Sequence, residues 1–544
     1  MRRGPRAPSL FTVVAAATAA PLLFVRYLPF TDLPEHVAAI ATMARLLPGG
    51  GGAPEYTVAF GSSQYLLYHF AGALLARLLG DAVLANRVLL AAIAIAWPFA
   101  LRALLRAVGR DERVAILAPA TFWNRALVIG FLPFVASVPL ALFALATFVR
   151  TLDAPTRRPQ LPAPTQPGRA HTGGPAQRGQ ADAGGPAQRR RQVLAGVLAI
   201  CVFYTHVSSF VVFAATALVL ALLRRRVFAL VPLVPSVLAA FVWGLGGSLG
   251  ARVEAGRLPG HGALDAVPLW AFDVWRSHLD EVWAALWWIT FGLFAIAGLK
   301  RRPDLRGTAL ALAPLFCALA VYLLTPFHVG PAGYLDVRLA PMLALLLLPA
   351  LALDERAPRW QTQGPIALAA VAALGTAVTA LHEMRRVEHE VLGDFDALLT
   401  KMRPRTRLAM LNFEQRSPRM YFWPYVFAGS YHRLAPGTIA SYSFTEIEHW
   451  SLAYAPGVET PPKHRGFWHY WPCQFELRRD GSYYDYVLVQ GRRDPFHEGA
   501  PGPAFREVGR SGAFILFEKL APEDQSPGVP DASICARIGP PPPP

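Results

Sequence analysis

At 544 residues, 53% hydrophobic and only 16% charged, the chain carries far fewer charges than the roughly one quarter usual in soluble domains. The deficit lies in long apolar runs, which excludes a soluble globular class and points to a membrane protein. The formal net charge of +16 does not indicate nucleic acid as a partner, because the surplus arginine sits between apolar runs, where it sets topology.

The chain opens with Arg2, Arg3 and Arg6 ahead of an apolar run from Leu10 to Val25. Its small residues, Ala15 to Ala20, lie inside that run rather than after it, so the pattern reads as an uncleaved signal anchor with a cytoplasmic N-terminus. A first span over about 9–28 then places the loop 29–61 outside.

That loop begins with Phe30-Thr31-Asp32-Leu33-Pro34-Glu35-His36, two acids and a histidine at the end of a span, where ionisable groups mark functional sites. Two readings of Asp32 stand side by side. In one, Asp32-x-x-Glu35 with Pro34 early in the next helix is a capping box, and Asp32 accepts amide hydrogen bonds. In the other, Asp32 takes a proton from an acceptor hydroxyl, or joins His36, one helical turn on, in holding a divalent cation such as Mg or Mn. A carboxylate at a helix N-terminus is expected to have a lowered pKa, which favours an orienting or metal-binding role over a strong base. Asp32, Glu35 and His36 are thus the candidate catalytic residues, and Asp32 and His36 the candidate metal ligands.

Ser63 to Leu79 is interrupted by Gln64, His69 and Arg77 and reads as a helix along the outer interface. That choice lets Ala82 to Leu105 run inward, leaving Arg102, Arg106, Arg110 and Arg113 inside. The short run 114–122 leads to an outer turn at Trp123-Asn124-Arg125, and Leu127 to Val149 returns. Residues 155–192, rich in Pro, Gly, Gln and Arg with a repeated Gly-Gly-Pro-Ala-Gln-Arg, read as a disordered cytoplasmic insert. Further spans over about 193–204, 208–223, 227–249, 282–299, 308–326, 339–353 and 365–381 give about eleven in all. Between them lie a second large outer loop, 250–281, and an outer turn, 328–338. From His382 the apolar runs shorten to strand length, at 408–413, 486–490 and 514–517, after one helix over 387–402. The expected organisation is a helical membrane domain over 1–382, an extracytoplasmic α/β domain over 383–520, and a Pro-rich disordered tail over 521–544.

The order of these features resembles the GT-C class of integral membrane glycosyltransferases. The residues that carry the resemblance are Asp32 just after the first span and a loop helix ending in Leu79-Gly80-Asp81. The stretch Ala85-Asn86-Arg87-Val88-Leu89 at the start of the next span and a distal soluble domain complete it. Glu35-His36 stands where the class commonly has a tight acidic pair. The resemblance implies a bacterial plasma-membrane enzyme that moves a sugar from a polyprenyl-phosphate donor to a glycan, lipid or protein acceptor on the extracytoplasmic face, with Asp32 at the position of the catalytic or metal-linked acid. A transporter or lipid flippase, and a non-catalytic envelope-assembly scaffold, are the alternatives.

Arg338 opens an apolar span from the outer side, and its planar fork suits a lipid phosphate. Pairing with Asp336 or snorkelling is its structural alternative. Arg125, His206, His328 and His278 are further candidates for binding substrate. The aromatic clusters at 421–425 and 467–471 suit either sugar stacking or core packing. Of the four cysteines, Cys201 and Cys317 fall in apolar runs, while Cys473 and Cys535 lie in the polar C-terminal region. In an oxidising compartment that pair forms a disulfide, and otherwise two free thiols.

Overall fold

A computed structural model describes residues 9–61, 63–152, 185–246, 255–256, 264–298, 305–329, 333–351, 353, 358–447, 449–462, 470–475, 480–496, 505–520 and 535–536. The arginines before residue 9, most of the insert, His261, Phe467 to His469 and most of the tail lie outside these.

Among the described residues six helices are long and apolar enough to cross a membrane: Ala82–Ala107, Leu132–Leu152, Val227–Leu245, His278–Gly298, Gly307–Leu324 and the run Gln363–Leu399. Leu10–Phe24, Leu66–Leu79, Val207–Leu223 and Val337–Ala350 are shorter apolar helices. Small residues let the helices approach. A Cβ on Gly196 would stand 2.6 Å from the Pro232 carbonyl oxygen, and one on Gly375 would meet the Trp283 ring at 2.6 Å.

Three expected elements differ from what forms. Pro186–Thr205 is helical from inside the expected insert, because Pro186 fits the first helical position, where its missing N–H is not needed. The expected run 127–149 is two helices, Arg125–Ile129 and Leu132–Leu152, parted at Gly130. The helix expected over 387–402 is instead the end of a long helix, Arg359–Val387, a single π-turn and the short helix Phe395–Leu399. The break falls at Gly393, whose φ of +58° and closeness to Ser511 and Gly512 leave no room for a Cβ.

Nine strands are described: β1 (Tyr56–Val58), β2 (Ala255–Gly256), β3 (His328–Val329), β4 (Arg407–Asn412), β5 (Ile439–Ala440), β6 (Leu452–Tyr454), β7 (Tyr486–Gln490), β8 (Phe505–Ser511) and β9 (Phe514–Lys519). Five form one mixed sheet in the order β5-β4-β7-β9-β8, parallel from β5 to β7 and antiparallel beyond. Period-two alternation splits its side chains. Leu408, Met410, Leu488, Phe514 and Leu516 join the same core as the helices. Ala409, Leu411, Val487, Val489, Ile515 and Phe517 face a separate cluster with Phe475 and Tyr484. A second tie is β1, from the first outer loop, paired antiparallel with β6. Cys473 and Cys535 form a disulfide, with Cα atoms 5.7 Å apart.

Candidate active site

Between the first loop, the turn at Gly130, the turn at His206, the 333–338 segment and the C-terminal part lies a cavity of about 280 Å³. Asp32 is its acidic group, and Arg338, His36, His206 and His449 are its basic ones.

Asp32 stands at the start of the helix Leu33–Leu46, yet its carboxylate caps nothing. The capping reading is therefore corrected, as is the lowered pKa that went with it. Burial pushes the Asp32 carboxyl up to about 8, against the opposing pull of the Arg338 charge. Its backbone is held instead. Thr31 and Asp32 amides donate to the carbonyls of Val128 and Ile129, at 3.0 and 2.9 Å, and the Thr31 hydroxyl donates to the Trp423 carbonyl. Gly130 closes this contact. At a φ of +101°, any Cβ there would stand 2.8 Å from both the Asp32 amide nitrogen and its Cβ.

His36 lies one turn on, but both ring nitrogens are occupied. Nε2 reaches the Gly130 carbonyl at 2.9 Å, and Nδ1 reaches His69 Nε2 at 2.9 Å. A carbonyl only accepts, so the proton is on His36 Nε2 and Nδ1 is bare. His69 must then donate from Nε2, which leaves its Nδ1 to accept the Ser451 hydroxyl at 2.7 Å. The order Ser451→His69→His36→Gly130 is forced by donor chemistry. Burial lowers the His36 pKa to about 3, keeping it neutral. It positions the Asp32 turn and is not a free metal ligand.

On the opposite wall the Ser208 amide donates to His206 Nδ1 at 3.1 Å, so that proton sits on Nε2. Nε2–H then faces Arg338 Nη1 at 3.4 Å, donor against donor. The rest of the Arg338 fork is held by the carbonyls of Tyr334 and Gly333, the Tyr65 hydroxyl also pairs with it, and its guanidinium lies 4.1 Å from the centre of the Phe131 ring. Asp336, the expected partner, caps the Val337 amide. Two donors turned together beside the Tyr65 hydroxyl suit an anionic oxygen, which accepts from both.

The remaining wall is aromatic: Tyr65, Tyr334, Trp423, Tyr442, Trp450 and Tyr470 all line the cavity. None was singled out for this role from sequence except within the clusters around 421–425 and 467–471. Tyr334 and Tyr442 hold φ of +59° and +51°, a strained conformation for a bulky residue and one that gathers at binding sites. His449 completes the wall, and burial lowers its pKa to about 4.

Several expected site residues lie elsewhere. Glu35 is fully buried against Arg433, also fully buried, at 3.2 Å. It accepts as well from Ser430, Ser443 and the Phe444 amide, so it ties two parts of the chain together and does not line the cavity. Arg125 donates to the carbonyl and carboxylate of Asp273 and lies over the Tyr421 ring. His278 is exposed beside Glu281. His328 is in β3, opposite Gly256.

Among the described residues no three His, Cys, Asp or Glu side chains converge to hold a metal ion. The donor set of the cavity is also wrong for Mg or Mn, which take several oxygen ligands. Among the described residues it offers one carboxylate beside an arginine, and His36 has both nitrogens engaged.

No family model and no curated protein matches the sequence. Solved structures do match by shape. ArnT from Cupriavidus metallidurans in the apo state aligns over 93% of this chain and 97% of its own, at a TM-score of 0.53 and 13% identity. The same protein bound to undecaprenyl phosphate aligns over 94% and 98%, at 0.53 and 13%. The arabinofuranosyltransferase AftD from Mycobacteria aligns over 95% of this chain but 40% of its own, at 0.48 and 14%, too loose a likeness to add to the assignment. At such identities the likeness is one of fold, and the fold is the GT-C-like one expected from the sequence.

Proposed function

We propose that this chain is a membrane glycosyltransferase that moves a sugar, a hexose or a pentose, from a polyprenyl-phosphate carrier to an acceptor hydroxyl at the extracytoplasmic face of a bacterial plasma membrane. In this reading about eleven segments span the bilayer, the N-terminus is cytoplasmic, and the part from about 383 lies outside. The acceptor is a glycan, a lipid or a protein.

The observation that carries the proposal is the convergence, in one aromatic-walled cavity, of the Asp32 carboxylate with a pair of facing donors. The Arg338 and His206 N–H groups take the carrier's phosphate. The aromatic faces receive the sugar. The acceptor oxygen attacks the anomeric carbon, and the bond from that carbon to the phosphate oxygen breaks. The phosphate leaves with the electron pair, and Asp32 receives the hydroxyl proton. Once ionised, a carboxylate whose pKa is near 8 is a stronger base than an ordinary one. No step passes through a metal ion. The fold's likeness to ArnT, one of whose structures is bound to undecaprenyl phosphate, supports a polyprenyl carrier.

The test is D32N, isostere for carboxylate, in membranes supplied with lipid-linked sugar. Transfer is expected to fall by about 100-fold or more at unchanged membrane insertion. Undiminished transfer by the variant would refute the role given to Asp32, and no transfer by the wild type would leave a transporter or a scaffold.

A further inference from the structure

We infer that the upper end of the helix Arg359–Val387, with the turn after it, binds the headgroup of an anionic phospholipid. This site is separate from the cavity and goes beyond the proposed transfer.

The helix presents one continuous stripe. Val371, Leu374 and Val378 recur at intervals of three and four residues, and His382, Arg385 and His389 continue the same line. Its lower part is apolar and uncovered: Val371 is 50% exposed and Val378 67%. Beside it Phe24, 62% exposed, lies 6.0 Å below the Arg385 guanidinium. Its upper part opens into a groove of about 520 Å³ lined by His382, Arg385, Arg386 and His389 above Val378 and Leu381. Apolar surface changes to cationic surface along one helical face, as acyl chains give way to headgroups along a lipid.

The carboxylates of this region are paired, mainly with Arg419. Glu390, which also lines the groove, takes a two-pronged contact from Arg419 at 2.8 and 2.9 Å and makes a longer ion pair with Arg386 at 3.9 Å. Glu383 also faces Arg419, and Glu388 accepts the Tyr27 amide. Among the described residues Arg385 has no ion pair. Two guanidinium groups and two imidazoles therefore surround a groove whose acids are already paired. A phosphodiester oxygen matches the arginine fork in charge and shape, and the apolar stripe beneath matches the chains of the same molecule. A headgroup that also carries a quaternary ammonium is matched less well, since it brings a cation beside these arginines.

The full-length protein is reconstituted in nanodiscs holding equal parts of phosphatidylglycerol and phosphatidylcholine, and lipid retained after detergent extraction is counted by native mass spectrometry. Phosphatidylglycerol is expected to be retained over phosphatidylcholine, and R385Q/R386Q to reduce that preference about tenfold. Equal retention by the wild-type protein would overturn the inference without any variant, as would a double variant that keeps the full preference. Should the double variant fail to fold, R385Q and R386Q are read singly. Complete release of phosphatidylglycerol by millimolar orthophosphate would also overturn it, marking a plain phosphate site. Because the readout is lipid retention, its failure leaves the glycosyltransferase assignment untouched, and loss of transfer in D32N leaves this one untouched.

Discussion

A single carboxyl sets the expected pH behaviour. Asp32 is raised to about 8 in the folded protein and has an ordinary value near 4 in the unfolded chain. Acting as a base it works only when ionised, so kcat/KM should climb through neutral pH and level off above about 8. A profile flat between pH 6 and 9 would remove Asp32 from the proton transfer. The same shift has a cost in stability. Between those two values the folded state holds a proton that the unfolded chain releases, so stability falls as pH rises through the window. D32N, which has no proton to lose, should therefore unfold at a higher temperature than the wild type at pH 9 and show a smaller advantage at pH 5, as thermal scans at the two values would show.

The turn at Gly130 and the two histidines behind it act as one element. G130A forces a Cβ into the Asp32 backbone at a φ that disfavours any side chain, so it should displace the carboxylate and reduce transfer up to about a hundredfold. H69F removes the donor to His36 Nδ1 and, with it, the link from Ser451 to the Gly130 carbonyl. A loosened turn admits water to Asp32. Its pH midpoint should move down from about 8 as kcat falls, whereas a purely structural role for His69 would leave the midpoint in place. The helix after Asp32 shows how far local pattern reached. Pro34 and Glu35 do open a helix at Leu33, as the spacing requires. What the capping box missed is that a stronger set of partners for Glu35 exists in the folded chain.

Across the whole molecule, that set of partners joins the first loop to the C-terminal part. Glu35 and Arg433 are 398 residues apart and both are fully removed from solvent. Replacing either one alone strands a buried charge, so E35A or R433A should each cost about 3–5 kcal/mol in chemical denaturation. The double substitution should cost less than the two added together, because no charge is left unpaired. Additive losses would show that the pair does not interact as described. The cavity depends on this joint. Its walls come from residue 31 on one side and from residues 422 to 470 on the other, so loosening the joint should weaken donor binding as well as stability.

The sequence by itself determined the membrane class, most of the apolar segments and the three central strands of the C-terminal sheet, and it singled out Asp32 as a candidate. Each of these is written locally, in runs of apolar residues, in alternation over a few positions, or in a charge placed against a span. Only the tertiary structure decided which ionisable groups meet. It turned Glu35 and Arg125 into ties, set His36 against Gly130, brought Arg338 to face His206, and gathered tyrosines and tryptophans from residue 65 to residue 470 around one hollow. The reason is physical. A buried polar group takes its protonation state and its role from partners, and those partners lie well off along the chain, 33 residues between His36 and His69 and 398 between Glu35 and Arg433, where no local pattern records them.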